Sequence, residues 1–231
     1  GTVQNAGIMS IDFVDALKPM SGNFTNSNWV DQVKDLTRIN NTTNSGGIYN
    51  IGVGATFTQN AGTFSFTGGV IRDGASAPAG KFTNSGTGIF DFNNASPTSL
   101  SITGLFTNSS TFNVKQNLTR ASAFKNTTAS GIIEITPGKT FTNTGAFEMN
   151  GGFLKATTSA ATNGAFINQK TFSVTASATN TSNFTNDFIA VPNTPAMTID
   201  PTFTFTHNKV GALANDQRTF TNEGILNIDG T

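Results

Sequence analysis

Apolar and polar residues alternate in short bursts along the whole chain, and the clearest burst is Phe141-Thr-Asn143-Thr-Gly145-Ala-Phe147-Glu-Met149. Alternate positions read Phe, Asn, Gly, Phe, Met on one side and Thr, Thr, Ala, Glu on the other. A period of two puts apolar side chains on one face of an extended chain. The central Asn-x-Gly is turn chemistry, because both residues tolerate backbone conformations that others avoid. The pattern predicts strand, corner, strand, with Asn143 turned inward.

The same pattern starts without a gap at Val3, Phe106, Phe166 and Phe220. Looser copies start at Phe24, Thr42, Phe57, Phe82, Phe124 and Phe184, and a degraded one lies near Phe205. Successive starts are 15 to 25 residues apart, with a mean just under twenty. Short strands and corners at that spacing predict one turn of a solenoid per repeat. The expected fold is all-β: a single parallel β-helix over residues 1–231, about 11–12 coils of about 20 residues. The 21 Phe residues would form its stacked core. Asn shares their parity, which predicts an amide ladder from coil to coil.

Departures from the repeat are local. Residues 13–38 are the least repetitive, and Val30, Val33, Leu36 and Ile39 recur at three-residue steps, so a short helix or irregular turn is expected there. Segments 73–80 and 93–98 read as inserted loops, as does the Pro-rich 191–201, because Pro cannot donate to a strand ladder.

Composition narrows the functional classes. Charged residues are only 11% of the chain, and 13 basic residues balance 13 acidic ones with no basic run. Electrostatic capture of nucleic acid or of an acidic membrane is therefore not expected. Cysteine is absent, which excludes disulfides and thiolate metal sites. No apolar run approaches the roughly 20 residues that span a bilayer, so no membrane insertion is expected. No signal peptide opens at Gly1, as in a secreted chain whose leader has been removed.

Candidate chemistry is sparse. The single histidine, His207, has no evident second ligand or nucleophile. No acid recurs at a fixed coil position, and Asp91 and Glu148 fall at outward positions, which suits a solvated face better than acid/base work. Neither catalytic residues nor a cofactor are expected. Thr-Phe-Thr at 56–58, 140–142, 202–204 and 219–221 would make outward threonine rows of the kind that bind ice. Lys81, Leu105, Asn23 and Asn183 interrupt those rows. Asn-x-Ser/Thr sequons, at Asn108 and Asn126 among others, follow from composition. The two ends match position for position: Val3, Asn5, Met9 and Ile11 against Phe220, Asn222, Leu226 and Ile228. Each looks like an interior coil, so these eight residues are the candidate assembly interface, by truncation of a longer solenoid or by head-to-tail stacking into a filament.

The repeated Phe-Thr-Asn-x-Gly followed by an alternating strand resembles the β-helical passenger and stalk regions of filamentous-haemagglutinin-like adhesins and autotransporters of bacterial surfaces. The resemblance covers nearly the whole chain and implies an extracellular right-handed β-helix with structural or adhesive work. The expectation is a cell-surface or matrix subunit that polymerises with itself. The alternative is a stalk or binding segment of a longer adhesin, whose loops contact a glycan or host surface. A glycan-active enzyme and an ice binder follow behind.

Overall fold

The computed structural model describes residues 1–12, 22–74, 76–156, 164–180, 182–186, 196–199, 205–207, 220–222 and 225–228. Throughout these residues the regular structure is β, and every strand pairing is parallel. The fold is a parallel β-solenoid whose strands stack into three faces.

Face 1 follows the register Val3, Phe24, Thr42, Phe64, Phe90, Phe112, Ile133, Leu154, Asn180, His207. These are nine steps of 18 to 27 residues, with a turn of roughly 22 residues. At the strand spacing of about 4.8 Å the column is roughly 43 Å long. Face 2 runs from Met9 through Val30, Tyr49 and Ile71, and from Leu118 through Phe141, Phe166 and Phe184 to Phe220. Face 3 runs from Leu36 through Phe57, Phe82, Phe106, Phe124, Phe147, Phe172 and Met197 to Leu226. The chain winds face 1, face 2, face 3 and back to face 1.

The turns are therefore fewer and longer than the expected 11–12 coils of about 20 residues. The reason is that the repeat changes face. Val3, Phe24 and Thr42 start copies on face 1; Phe57, Phe82, Phe106 and Phe124 on face 3; Phe141, Phe166, Phe184 and Phe220 on face 2. The short interval from 42 to 57 and that from 124 to 141 are two-thirds of a turn, and counting starts as coils overstates the number.

Segment 13–38 is also more regular than expected. Strands Asn23–Asn26, Trp29–Gln32 and Leu36–Arg38 occupy the three faces in turn, while 13–21 lie outside the described residues. The three-residue recurrence there marks a strand, a corner and a strand, with Val30 and Leu36 buried and Val33 exposed at the corner between them. In 191–201, Ala196–Ile199 is a face 3 strand paired on both sides, with Met197 buried. Pro195 and Pro201 flank it in the sequence. Segment 73–80 leaves the ladder after Asp73 and rejoins it at Lys81, and no strand lies in 93–98.

The interior is a phenylalanine stack. On face 3, Phe82, Phe106, Phe124, Phe147 and Phe172 lie ring over ring, with centroids 4.8 to 5.2 Å apart and planes within 8°. Neighbouring columns meet these rings near edge-on, Phe90 against Phe82 at 82° and Phe166 against Phe147 at 66°. Offset and edge-to-face geometries suit the ring quadrupole, and each buried Phe contributes on the order of 1.5–3 kcal/mol. The edge partners come from face 1 in the lower turns and from face 2 above Phe141, following the migration of the repeat.

Candidate functional site: the corner ladders and the first-coil edge

At each corner that carries the motif, an inward Asn closes the turn. Asn143 is fully buried, as expected from its parity. Its Nδ2 donates to Asn168 Oδ1 at 2.8 Å and to the Gly145 carbonyl at 2.9 Å, while its Oδ1 accepts from the Gly145 N–H at 3.2 Å. The side chain thus satisfies its own corner and the next coil together.

Among the described residues there are three such ladders, one at each corner. Asn5, Asn26 and Asn44 join faces 1 and 2. Asn84, Asn108 and Asn126 join faces 3 and 1. Asn143, Asn168 and Asn186 join faces 2 and 3. In each of these rungs the lower amide nitrogen donates to the oxygen of the coil above, so each ladder has an acceptor end below and a donor end above.

Beneath the upper two ladders lies a buried arginine that sequence reasoning did not single out: Arg120 directly under Asn143, and Arg38 two turns under Asn84 with the buried Gln59 between them. Arg38 and Arg120 occupy the Asn position of their corners, and each is 1% exposed. Arg38 Nη2 donates to the Gly22 carbonyl at 2.6 Å and the Asn41 carbonyl at 3.4 Å. Arg120 Nη2 donates to the Gly104 carbonyl at 2.9 Å and the Ala123 carbonyl at 3.5 Å, and its Nη1 to Ile102. Both arginines therefore reach sixteen residues back and three forward. Burial pushes the Arg120 guanidinium down to about 10, with Asp73 acting in the opposite sense. The signal was present: Gly22-Asn-Phe-Thr-Asn-Ser27 leading to Leu36-Thr-Arg38 is repeated 82 residues on as Gly104-Leu-Phe-Thr-Asn-Ser109 leading to Leu118-Thr-Arg120. The two copies lie on different faces, Phe24 on face 1 and Phe106 on face 3. One unit serves different corners of the solenoid.

The eight candidate interface residues fall at the two ends of the columns. Val3 and Asn5 lie on strand Thr2–Asn5 of face 1, and Met9 and Ile11 on strand Ile8–Ile11 of face 2. Phe220 and Asn222 lie on strand Phe220–Asn222 of face 2, and Leu226 and Ile228 on strand Ile225–Ile228 of face 3. The structure does not bring the two sets together within one chain. Val3 is 42% exposed, Met9 is half-buried, and Asn5 and Ile11 are buried. Asn26 Oδ1 accepts both from Asn5 Nδ2 at 2.8 Å and from its own Asn28 N–H at 3.2 Å. Asn5 Oδ1 accepts from the Gly7 N–H at 3.2 Å.

The outward faces carry polar pairs. Asp91 accepts from Lys115 at 2.6 Å and from Asn113 at 2.7 Å, beside a shallow depression lined by Asn113, Lys115, Glu134 and Thr136. Lys125 and Glu148 pair at 2.8 Å on face 3. Burial alone would raise Glu148, but hydrogen bonds from Lys125, Thr175 and Asn150 and the lysine's charge outweigh it and hold its carboxyl below the usual range. Thr37, Thr58, Thr83 and Thr107 form one outward row of four on face 3, which ends at Lys125. Its neighbouring outward row is broken at Lys81 and Leu105. An apolar outward row, Ile8, Trp29, Ile48 and Val70, crosses the lower turns of face 2. Arg72 lies over the Trp29 ring, 4.8 Å from its centroid. Strand Phe205–His207 places His207 on face 1 at the level after Asn180. Among the described residues no group of three or more His, Cys, Asp or Glu is placed to hold a metal ion, and no helix is long and apolar enough to cross a membrane.

No protein-family model, no curated protein and no solved structure matches the chain.

Proposed function

We propose that the chain is an extracellular structural protein, a rigid solenoid subunit that joins further copies of itself end to end in a surface or matrix filament. One observation carries this reading. Strands Thr2–Asn5 and Ile8–Ile11 and strands Phe220–Asn222 and Ile225–Ile228 carry one sequence pattern, so the parallel strand edge of one such coil fits the other. An edge of this kind is a template for another β-coil. The low charge and the Thr, Asn, Ser and Gly abundance suit an exposed fibre. A second reading, a stalk or binding segment of a longer surface adhesin, draws on the outward Trp29 row, which offers apolar and aromatic surface on the side of the rod.

The test is electron microscopy and sedimentation of the purified chain at rising concentration, beside Val3→Lys. Val3 is half-exposed, so the lysine leaves the fold intact and places a charge in the proposed junction. Unbranched fibres from the parent and single rods from the variant are expected. A parent that remains a single rod at every concentration overturns the proposal.

A further inference from the structure

We propose that two copies of the chain pair side by side and antiparallel through the lower turns of face 2, about a two-fold axis that passes by Asn50. Three outward columns cross that face over three successive turns: Trp29, Ile48 and Val70; Asp31, Asn50 and Arg72; and Val33, Gly52 and Gly74. The first column is apolar, whereas the outward column Thr37, Thr58, Thr83 and Thr107 of face 3 is hydroxylic. Every residue of the first two columns is partly exposed, and Val33 is 44% exposed. Apolar surface of this kind gains by being covered.

The middle column says what covers it. Asp31 lies one turn below Asn50 and Arg72 one turn above, so the column carries opposite charges at equal distances from its centre. Among the described residues neither charge has an ion-pair partner. Asp31 accepts from Asn50 Nδ2 at 3.0 Å, and Arg72 lies over the Trp29 ring. A two-fold axis parallel to the strands at the level of Asn50 reverses the rod and sets each column against itself. Asp31 of each copy then faces Arg72 of the other, Ile48 meets Ile48, and Trp29 meets Val70. Val33 meets Gly74, where the lack of a side chain leaves room. A patch that complements itself under a two-fold axis is what an isologous dimer requires. Parallel rods would instead set Asp31 against Asp31 and Arg72 against Arg72. A foreign ligand has no need of charges placed symmetrically about one amide. The chain has 13 basic and 13 acidic residues, so no net repulsion keeps two rods apart. The patch is far smaller than the roughly 800 Å² per partner of a standard interface, so the pair is weak and forms at high concentration.

Charge exchange tests the pairing, which does not depend on end-to-end joining. Sedimentation equilibrium is run up to about 1 mM in the Val3→Lys background, which removes end-to-end growth from the measurement. If that background still forms fibres, electron microscopy scores instead the fraction that lie in pairs. The background should pair. Arg72→Asp and Asp31→Arg each set like charges together at two places, and each should weaken pairing about tenfold or more. An equimolar mixture of the two variants should recover pairing as one-to-one complexes, and the double variant Asp31→Arg/Arg72→Asp should recover it alone. A chain damaged in folding would show neither recovery. Single rods in the background at every concentration, pairing indifferent to the single exchanges, or no recovery in the mixture and the double variant each overturn the proposal and leave end-to-end assembly untouched.

Discussion

Asn108→Leu tests whether the corner ladders hold the solenoid together. Asn108 is fully buried and accepts from Asn84 Nδ2 at 2.8 Å. It donates to Asn126 Oδ1 at 2.8 Å, to the Ile132 carbonyl at 3.0 Å and to the Ser110 carbonyl at 3.1 Å. Four intramolecular bonds at about 1 kcal/mol net each are lost, and an orphaned buried partner such as Asn126 Oδ1 adds about 1–3 kcal/mol. Leucine is close to asparagine in size and returns roughly 1–2 kcal/mol through apolar burial. The balance is a destabilisation of about 3 kcal/mol or somewhat more, a large part of the 5–15 kcal/mol typical of a folded domain. Urea unfolding followed by circular dichroism should move to a midpoint lower by about 1 M or more, given a slope of roughly 2–3 kcal/mol/M for a chain of this size. Thr107→Ala, on the outward side of the same strand, serves as the control and should change stability by less than about 1 kcal/mol. If Asn108→Leu falls as close to the parent as that control, the ladder contributes no more than shape.

Four other substitutions probe separate parts of the structure. Phe124→Ala removes a ring stacked 5.0 Å from Phe106 and 5.1 Å from Phe147, and should lower the unfolding free energy by about 3–5 kcal/mol in the same titration. Arg120→Met leaves the carbonyls of Ile102 and Gly104 without their donor and should cost about 3 kcal/mol. Gly69→Ala puts a Cβ 1.9 Å from the Gly47 carbonyl at a φ of +77°, so soluble yield or melting temperature should drop sharply. Glu148→Gln tests pH linkage. The native carboxyl titrates below its unfolded value, so its stabilising contribution is present above the ordinary carboxylate range and lost as pH falls through the depressed native value. At neutral pH the parent should exceed the glutamine variant by under about 1 kcal/mol, a gap that closes in acid.

The architecture was legible because its determinants are local. Alternation around Asn143 fixes strand, corner and parity, and parity alone places the asparagine inside beside the phenylalanines. The number of turns was not legible, because the same motif fits any of three corners and a sequence start does not say which. Thr42 to Phe57 and Phe124 to Phe141 look like short repeats and are changes of corner. Only the pairing register separates the two cases. The arginines went unmarked for a related reason. A charged side chain reads as a surface residue unless a partner is evident, and most partners of Arg38 and Arg120 are backbone carbonyls, which leave no mark in the side-chain sequence. The repeated Leu-Thr-Arg at one distance from Gly-x-Phe-Thr-Asn was the available signal, since Leu and Arg at the parity of Phe and Asn belong inside.

A ladder that moves from corner to corner explains how one short motif fills a column of changing cross-section. In the turn of Asn108 one corner carries the amide and the other two carry Phe92 and Ile102, whereas Asn26 shares its turn with the buried Gln32 and Arg38; above Asn44, the corner between faces 1 and 2 passes to Phe66, Phe92 and Val114, all buried. The wide aromatic pair, one ring from each side of the amide corner, therefore rotates with the ladder. Each change of corner orphans the amide below and the carbonyls of the turn where the new ladder starts. Asn44 meets the first need by donating to the Gly47 and Gly68 carbonyls, both at 2.9 Å, and a buried arginine meets the second. A change of corner thus brings in a dedicated residue, the arginine whose guanidinium takes up those carbonyls.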